Sequence, residues 1–178
     1  MPNSLTSIET VIGGRTDDDI SIFVDSLENY LNISQYFLTS FSNSLQTYIK
    51  AKLFVNDNEI TDLDLSTIPI KNISQYKFAN FTNIESVILP TTLEEIGIYA
   101  FMNDSLITSI SLPDGLKKIN IGAFEKTSIT SVNIPASVEI LGGFSYITAL
   151  TSVTFNPNSS LNRILVGCFR DTSISSIS

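Results

Sequence analysis

The sequence predicts an α/β repeat fold, a solenoid of short coils with a parallel β-sheet along one face, preceded by an N-terminal helical segment. Three observations carry this. An apolar triplet returns every 21 to 24 residues from Ile60 onward. A second apolar set ending in an aromatic returns in phase with it. Residues 17–50 lack that period and show a heptad in its place. The chain therefore divides into a lead at 1–16, a helical heptad segment at 17–50 and a solenoid at 51–178.

The lead ends in Gly13-Gly14, which reads as a joint. Thr16 with Asp19 three residues on marks a helix start, because the hydroxyl can accept an amide hydrogen bond and carboxylates favour the positive end of a helix. Asp17-Asp18-Asp19 is explained in the same way, since a calcium loop needs spaced oxygen ligands and a turn glycine after them. From there Val24, Leu31, Leu38 and Leu45 occupy one seam position, and Ile20, Leu27, Ser34, Phe41 and Tyr48 the other, in alternating steps of three and four. That is the apolar pattern of a coiled coil or a packed amphipathic helix. Two outcomes fit it: the helix folds back to cap the first coil, or Val24, Leu27, Leu31, Leu38, Phe41 and Leu45 build a homo-oligomeric stalk.

In the solenoid the first triplet runs Ile60, Leu63, Leu65; Ile84, Val87, Leu89; Ile107, Ile110, Leu112; Ile129, Val132, Ile134; Leu150, Val153, Phe155; with Ile174 and Ile177 opening a sixth copy. In Ile107–Leu112 the last two residues alternate with Ser111, as in a strand with one face buried. Pro90, Pro113 and Pro135 follow directly and stop the strand, because proline cannot donate to a ladder. The second set ends at Phe78, Phe101, Phe124, Tyr146 and Phe169, which the period places in one internal aromatic column. A single coil cannot bury such residues; stacked coils can.

Composition narrows function. There are 178 residues, no histidine, one cysteine and a net charge of −8. Histidine-dependent triads and the common histidine-bearing zinc sites are excluded, and the acidic balance argues against nucleic acid as a partner. No apolar run reaches the roughly 18 residues of a membrane span, so no membrane insertion is expected. Met1–Gly14 has neither the basic nor the apolar region of a secretory leader. The five Asn-x-Ser/Thr triplets, at Asn32, Asn72, Asn80, Asn103 and Asn158, are what an Asn- and Ser-rich chain produces by chance. Cys168, beside Phe169, reads as a small core residue.

The segments Ile107–Phe124 (ITSISLPDGLKKINIGAF) and Ile84–Phe101 (IESVILPTTLEEIGIYAF) resemble the BspA-type leucine-rich repeat, with strand, proline, Ile-Gly and Ala-Phe positions in register. Residues 60–178 carry the resemblance, and Lys52–Leu63 is similar to the strand that leads into such arrays. Ser66 replaces a proline, Lys77, Ser145 and Cys168 stand at the alanine position, and Asp104-Ser105 stands where Gly-Cys is usual. The resemblance implies a leucine-rich-repeat solenoid that binds or adheres, exposed on a cell surface, and no catalytic residues.

The candidate binding site is the outward row of the sheet: Asp62, Asp64, Glu85, Ile88, Ser111, Asn133 and Thr154, acidic at its start and hydroxyl-rich later. The expected function is non-enzymatic recognition or adhesion toward a protein or glycan ligand, without cofactor or metal. The alternative is a virion or appendage component, oligomerised by its N-terminal helix and displaying the solenoid outward. At the C-terminal end, where nothing after Ile174 and Ile177 caps the stack, either a partner covers the last coil or the sequence is a fragment of a longer repeat array.

Overall fold

The computed structural model describes residues 10–11, 20–32 and 50–178. At its N-terminal end, β1 (Thr10–Val11), β2 (Ile20–Val24), β3 (Ala51–Val55) and β4 (Asn58–Glu59) form one sheet in that order. β2 runs parallel to β3, with Ile22 opposite Leu53 and Val24 opposite Val55, while β4 returns antiparallel. Asn56 and Asp57 make the β3–β4 turn, both with positive φ, which Asn and Asp tolerate better than other non-glycine residues. The expected continuous helix over 17–50 is not formed. Ile20–Val24 is a strand, and the described helix, α1 (Leu27–Asn32), is six residues long. Alternation explains the difference: Ile20, Ile22 and Val24 are apolar at period two, and Ile22 and Val24 are buried together on one face. The heptad count reads the same residues at steps of three and four.

The solenoid follows. On one side lie β5 (Asp62–Asp64) paired parallel with β7 (Ser86–Ile88), and β10 (Ser131–Ile134), β12 (Ser152–Phe155) and β14 (Ser176–Ile177) in a second parallel sheet. The opposite side carries five two-residue strands in parallel: β6 (Asn72–Ile73), β8 (Glu95–Ile96), β9 (Lys118–Ile119), β11 (Ile140–Leu141) and β13 (Arg163–Ile164). Residues 107–112, expected as a strand, are assigned to none, so the front sheet is interrupted at the third coil. Ile107 and Leu112 are buried there all the same. The Ile107 and Thr108 carbonyls still accept the Ser128 and Thr130 N–H groups of the next coil, so apolar packing and these bonds together position it.

Between the sheets runs the aromatic column. Phe78, Phe101, Phe124, Phe144 and Phe169 stack with centroid separations of 5.3, 5.4, 5.4 and 6.0 Å and planes within 20°. The fourth member is Phe144 and not Tyr146. Five residues separate Ile119 from Phe124, and three separate Leu141 from Phe144, so the fourth coil is two residues short at this point and a count by period overshoots. Tyr146 instead takes the left-handed turn position that Lys126 holds one coil earlier, half-buried between Lys126 and Arg170, whose charged groups lie 5.9 and 5.3 Å from its ring. The alanine position of that coil is likewise Gly143, whose carbonyl accepts the Phe124 N–H as the Ala123 carbonyl accepts that of Phe101. Ser145 lies just beyond and donates to Glu125 Oε2 at 2.9 Å.

The first coil is closed by the N-terminal unit. Tyr30 of α1 packs its ring 5.6 Å from Phe78 and 6.1 Å from Phe81, extending the aromatic core by one layer. Ala51 bridges Phe81 in parallel, and buried Asn83 accepts the Leu53 N–H while its amide donates to the carbonyls of Leu53 and Ile60. In the described part of residues 17–50, a strand and a six-residue helix, in place of the expected long helix, pack against the first coil. At the other end Ile164, Val166 and Ile177 are 56%, 95% and 61% exposed.

Candidate functional site: the outward row of the front sheet

In a strand, successive side chains point to opposite faces, so each buried residue of the front sheet fixes an exposed neighbour. Leu63 is buried and Asp62 and Asp64 face outward; Val87 is buried and Ile88 faces outward; Val132 and Ile134 are buried and Asn133 faces outward. Register then sets who stands beside whom. Asp62 lies opposite Ser86, Asp64 opposite Ile88, and Asn133 opposite Thr154. Glu85 is exposed immediately before β7, its N–H held by the Thr61 carbonyl. Ser111 is exposed on the interrupted coil. All seven expected residues thus reach the surface or its margin, in two groups separated by that coil.

The two groups differ in chemistry. In the first, the Ser86 hydroxyl donates to Asp62, and the Asp64 carboxyl is held below the usual range by the Ser66 side chain first and then by the Ser66 N–H, which it accepts at 2.9 Å. Ile88, 52% exposed, stands among these carboxylates as an apolar contact point. In the second, Thr154 donates to Asn133 Oδ1 and Asn133 donates to Asn156 Oδ1, each at 2.9 Å. Ser175 and Thr151 hydroxyls donate to the carbonyls of Thr151 and Thr130 one coil below. These neighbour-to-neighbour bonds orient the polar groups before any ligand arrives, which lowers the ordering cost of binding.

Opposite charges gather on the other sheet. Glu94 is clamped between Lys117 at 2.7 Å and Lys71 at 2.8 Å, which pull its carboxyl down to about 2, and Lys118 meets Glu95 at 3.1 Å. The back is self-neutralised, whereas no ion pair among the described residues involves Asp62, Asp64 or Glu85.

Of the expected oligomer residues, Val24 is buried and Leu27 and Leu31 pack on the core of the same chain. Leu38, Phe41 and Leu45 lie outside the described residues. No group of histidine, cysteine and carboxylate side chains among the described residues could hold a metal, and no described helix is long and apolar enough to cross a membrane. Cys168 is buried, and burial pushes its thiol up to about 12, far from nucleophilic range.

Sequence reasoning missed Asn83 and Phe81 and took Asp104 only as a departure at a coil edge. The period offers no copy of Asn83 to compare, because its partners belong to the lead-in hairpin.

Parallel strands on two sides, a continuous aromatic stack and a coil of about two dozen residues define a leucine-rich-repeat solenoid. The chain belongs to the BspA type leucine-rich repeat family, which matches residues 25–143 and 71–178 in six copies. A leucine-rich repeat protein from Bacteroides ovatus, known from a crystal structure, is 17% identical, with a TM-score of 0.49 over 96% of this chain and 58% of that one. This chain thus spans a little over half the length of that protein. No curated protein matches the chain.

Proposed function

We infer that this protein is a non-enzymatic recognition module that binds a protein or glycan through the outward row of its front sheet. The observation that carries the reading is the asymmetry of the two sheets. On the back, cations and carboxylates neutralise one another; on the front, Asp62, Asp64 and Glu85 surround exposed Ile88 and grade into the oriented Asn133–Thr154 amide and hydroxyl array. A surface held rigid by its own repeat and left uncompensated in charge is suited to contact another molecule. Family membership supports interaction as the role.

The test is a glycan array and a cell-adhesion assay with two variants. Replacing Asp64, Ile88, Asn133 and Thr154 together by alanine should abolish retention, while Glu94→Gln on the back sheet should leave it intact. Equal retention by both variants refutes the front sheet as the binding face.

A further inference from the structure

The joint between the N-terminal unit and the solenoid contains a buried carboxyl group that the binding face does not use. Asp104 is fully buried in the second coil. Its Oδ1 accepts the Phe81 N–H at 2.8 Å, and its Oδ2 has no hydrogen-bond partner. Phe81 is the residue on which the N-terminal unit rests, bridged by Ala51 of β3 and touched by the Tyr30 ring of α1. Asp104 therefore sits one hydrogen bond beneath the seam.

Among the described residues, its neighbours give it no counter-charge. From α1, Tyr30 is the titratable group that faces it, a phenol kept neutral by burial and further raised by the Asp104 charge. Lys77 of the first coil directs its ammonium to the Tyr30 carbonyl, across the Tyr30 ring. On the third-coil side the equivalent position is Thr127, uncharged, with its hydroxyl donated to the Phe124 carbonyl. A carboxylate in this setting has the backbone amides of Phe81 and Asn80 beside it and an Oδ2 with no hydrogen-bond partner among the described residues, and an unsatisfied buried charge is far costlier than an unsatisfied neutral group.

We propose that Asp104 makes the seam a pH-sensitive latch, closed when the carboxyl carries its proton and loosened when it does not. Opening the seam between β3, α1 and Phe81 is the local way to bring water to Oδ2 without unstacking the aromatic column. Burial raises the Asp104 carboxyl well above its ordinary value, against the lowering effect of the Phe81 and Asn80 N–H groups. The sign follows. A raised folded-state value stabilises the closed joint fully below the unfolded value near 4, and that stabilisation is lost as pH rises through the raised value.

Hydrogen exchange, corrected for intrinsic rates, tests this between about pH 5 and pH 7, below the range where Lys77 loses its proton. Protection at 20–32 and 51–55 should fall roughly tenfold across that range, while 129–155 holds steady. Asp104→Asn, which keeps the acceptor for Phe81, should abolish the fall, and Asp114→Asn, removing an exposed charge, should not. Should the Asn variant not fold, Asp104→Thr copies the Thr127 position and must behave as the Asn variant is expected to. A carbon-13 titration of the wild-type Asp104 carboxyl supplies an independent reading. A fall in protection that persists without Asp104, a loss spread evenly over all coils, or an Asp104 titration in the ordinary carboxylate range overturns the latch.

Discussion

Tyr30 and Lys77, 47 residues apart, exchange hydrogen bonds: the Tyr30 hydroxyl donates to the Lys77 carbonyl at 2.6 Å, and the Lys77 ammonium donates to the Tyr30 carbonyl. Tyr30→Phe removes this buried hydrogen bond to the Lys77 carbonyl and should cost about 1–2 kcal/mol in urea unfolding.

Burial lowers the Lys77 amine to about 8. The folded state therefore prefers the neutral amine, and stability should rise as pH climbs from about 8 toward 10, above which Tyr30 begins to ionise in the unfolded chain. Lys77→Met should flatten that rise. Unfolding free energies for both proteins across this window check the sign, and a fall in the wild type contradicts it.

The aromatic column separates Phe144 from Tyr146. Phe124→Ala and Phe144→Ala should each cost about 3–5 kcal/mol, since both rings are fully buried between two others. Tyr146→Ala should cost about 1 kcal/mol, through lost contact with Arg170 and Lys126. Equal losses for Phe144 and Tyr146 contradict the assignment.

Two glycines differ in what surrounds them. A Cβ on Gly97 meets the backbone of the preceding coil at Ile73, Ser74 and Gln75, all at 2.6 Å, so Gly97→Ala must push coils apart and should cost about 1–3 kcal/mol. Gly115 meets its first neighbour, the Thr91 carbonyl, at 3.3 Å, and Gly115→Ala should stay within about 0.5 kcal/mol in thermal unfolding.

Glu94 offers an electrostatic readout. Its carboxyl, held at about 2 by Lys117 and Lys71, should titrate closer to the ordinary value in Lys117→Met. It should also shift upward in roughly 1 M salt, because the clamp is exposed and screened. Carbon-13 titration measures both.

The solenoid was legible because burial repeats: each coil states the same alternation and the same aromatic, and several copies average out local exceptions. Where one copy departed, counting failed, as at Tyr146. The N-terminal unit has no copies, and Ile20–Val24 is short enough to satisfy period two and a heptad alike. Its partner β3 and its anchors Asn83 and Tyr30–Lys77 are set by tertiary pairing that no local pattern reports. The acidic and hydroxyl groups of the front face were legible for the same reason as the core, being its complement in each strand. The interruption at residues 107–112 was not, and nothing in those residues explains it.

The two-residue shortening before Phe144 bears on how such a protein can change over generations. The ring kept its place in the stack while the turn beside it absorbed the lost length, with Gly143 adopting a φ of 98° to close the path. In this coil a two-residue change of length between the back strand and the ring is accommodated without displacing the ring. A library that varies length there and keeps the ring would sample new outer turns on an unchanged core, which is the latitude a repeat lineage needs to diversify its rim without refolding its interior.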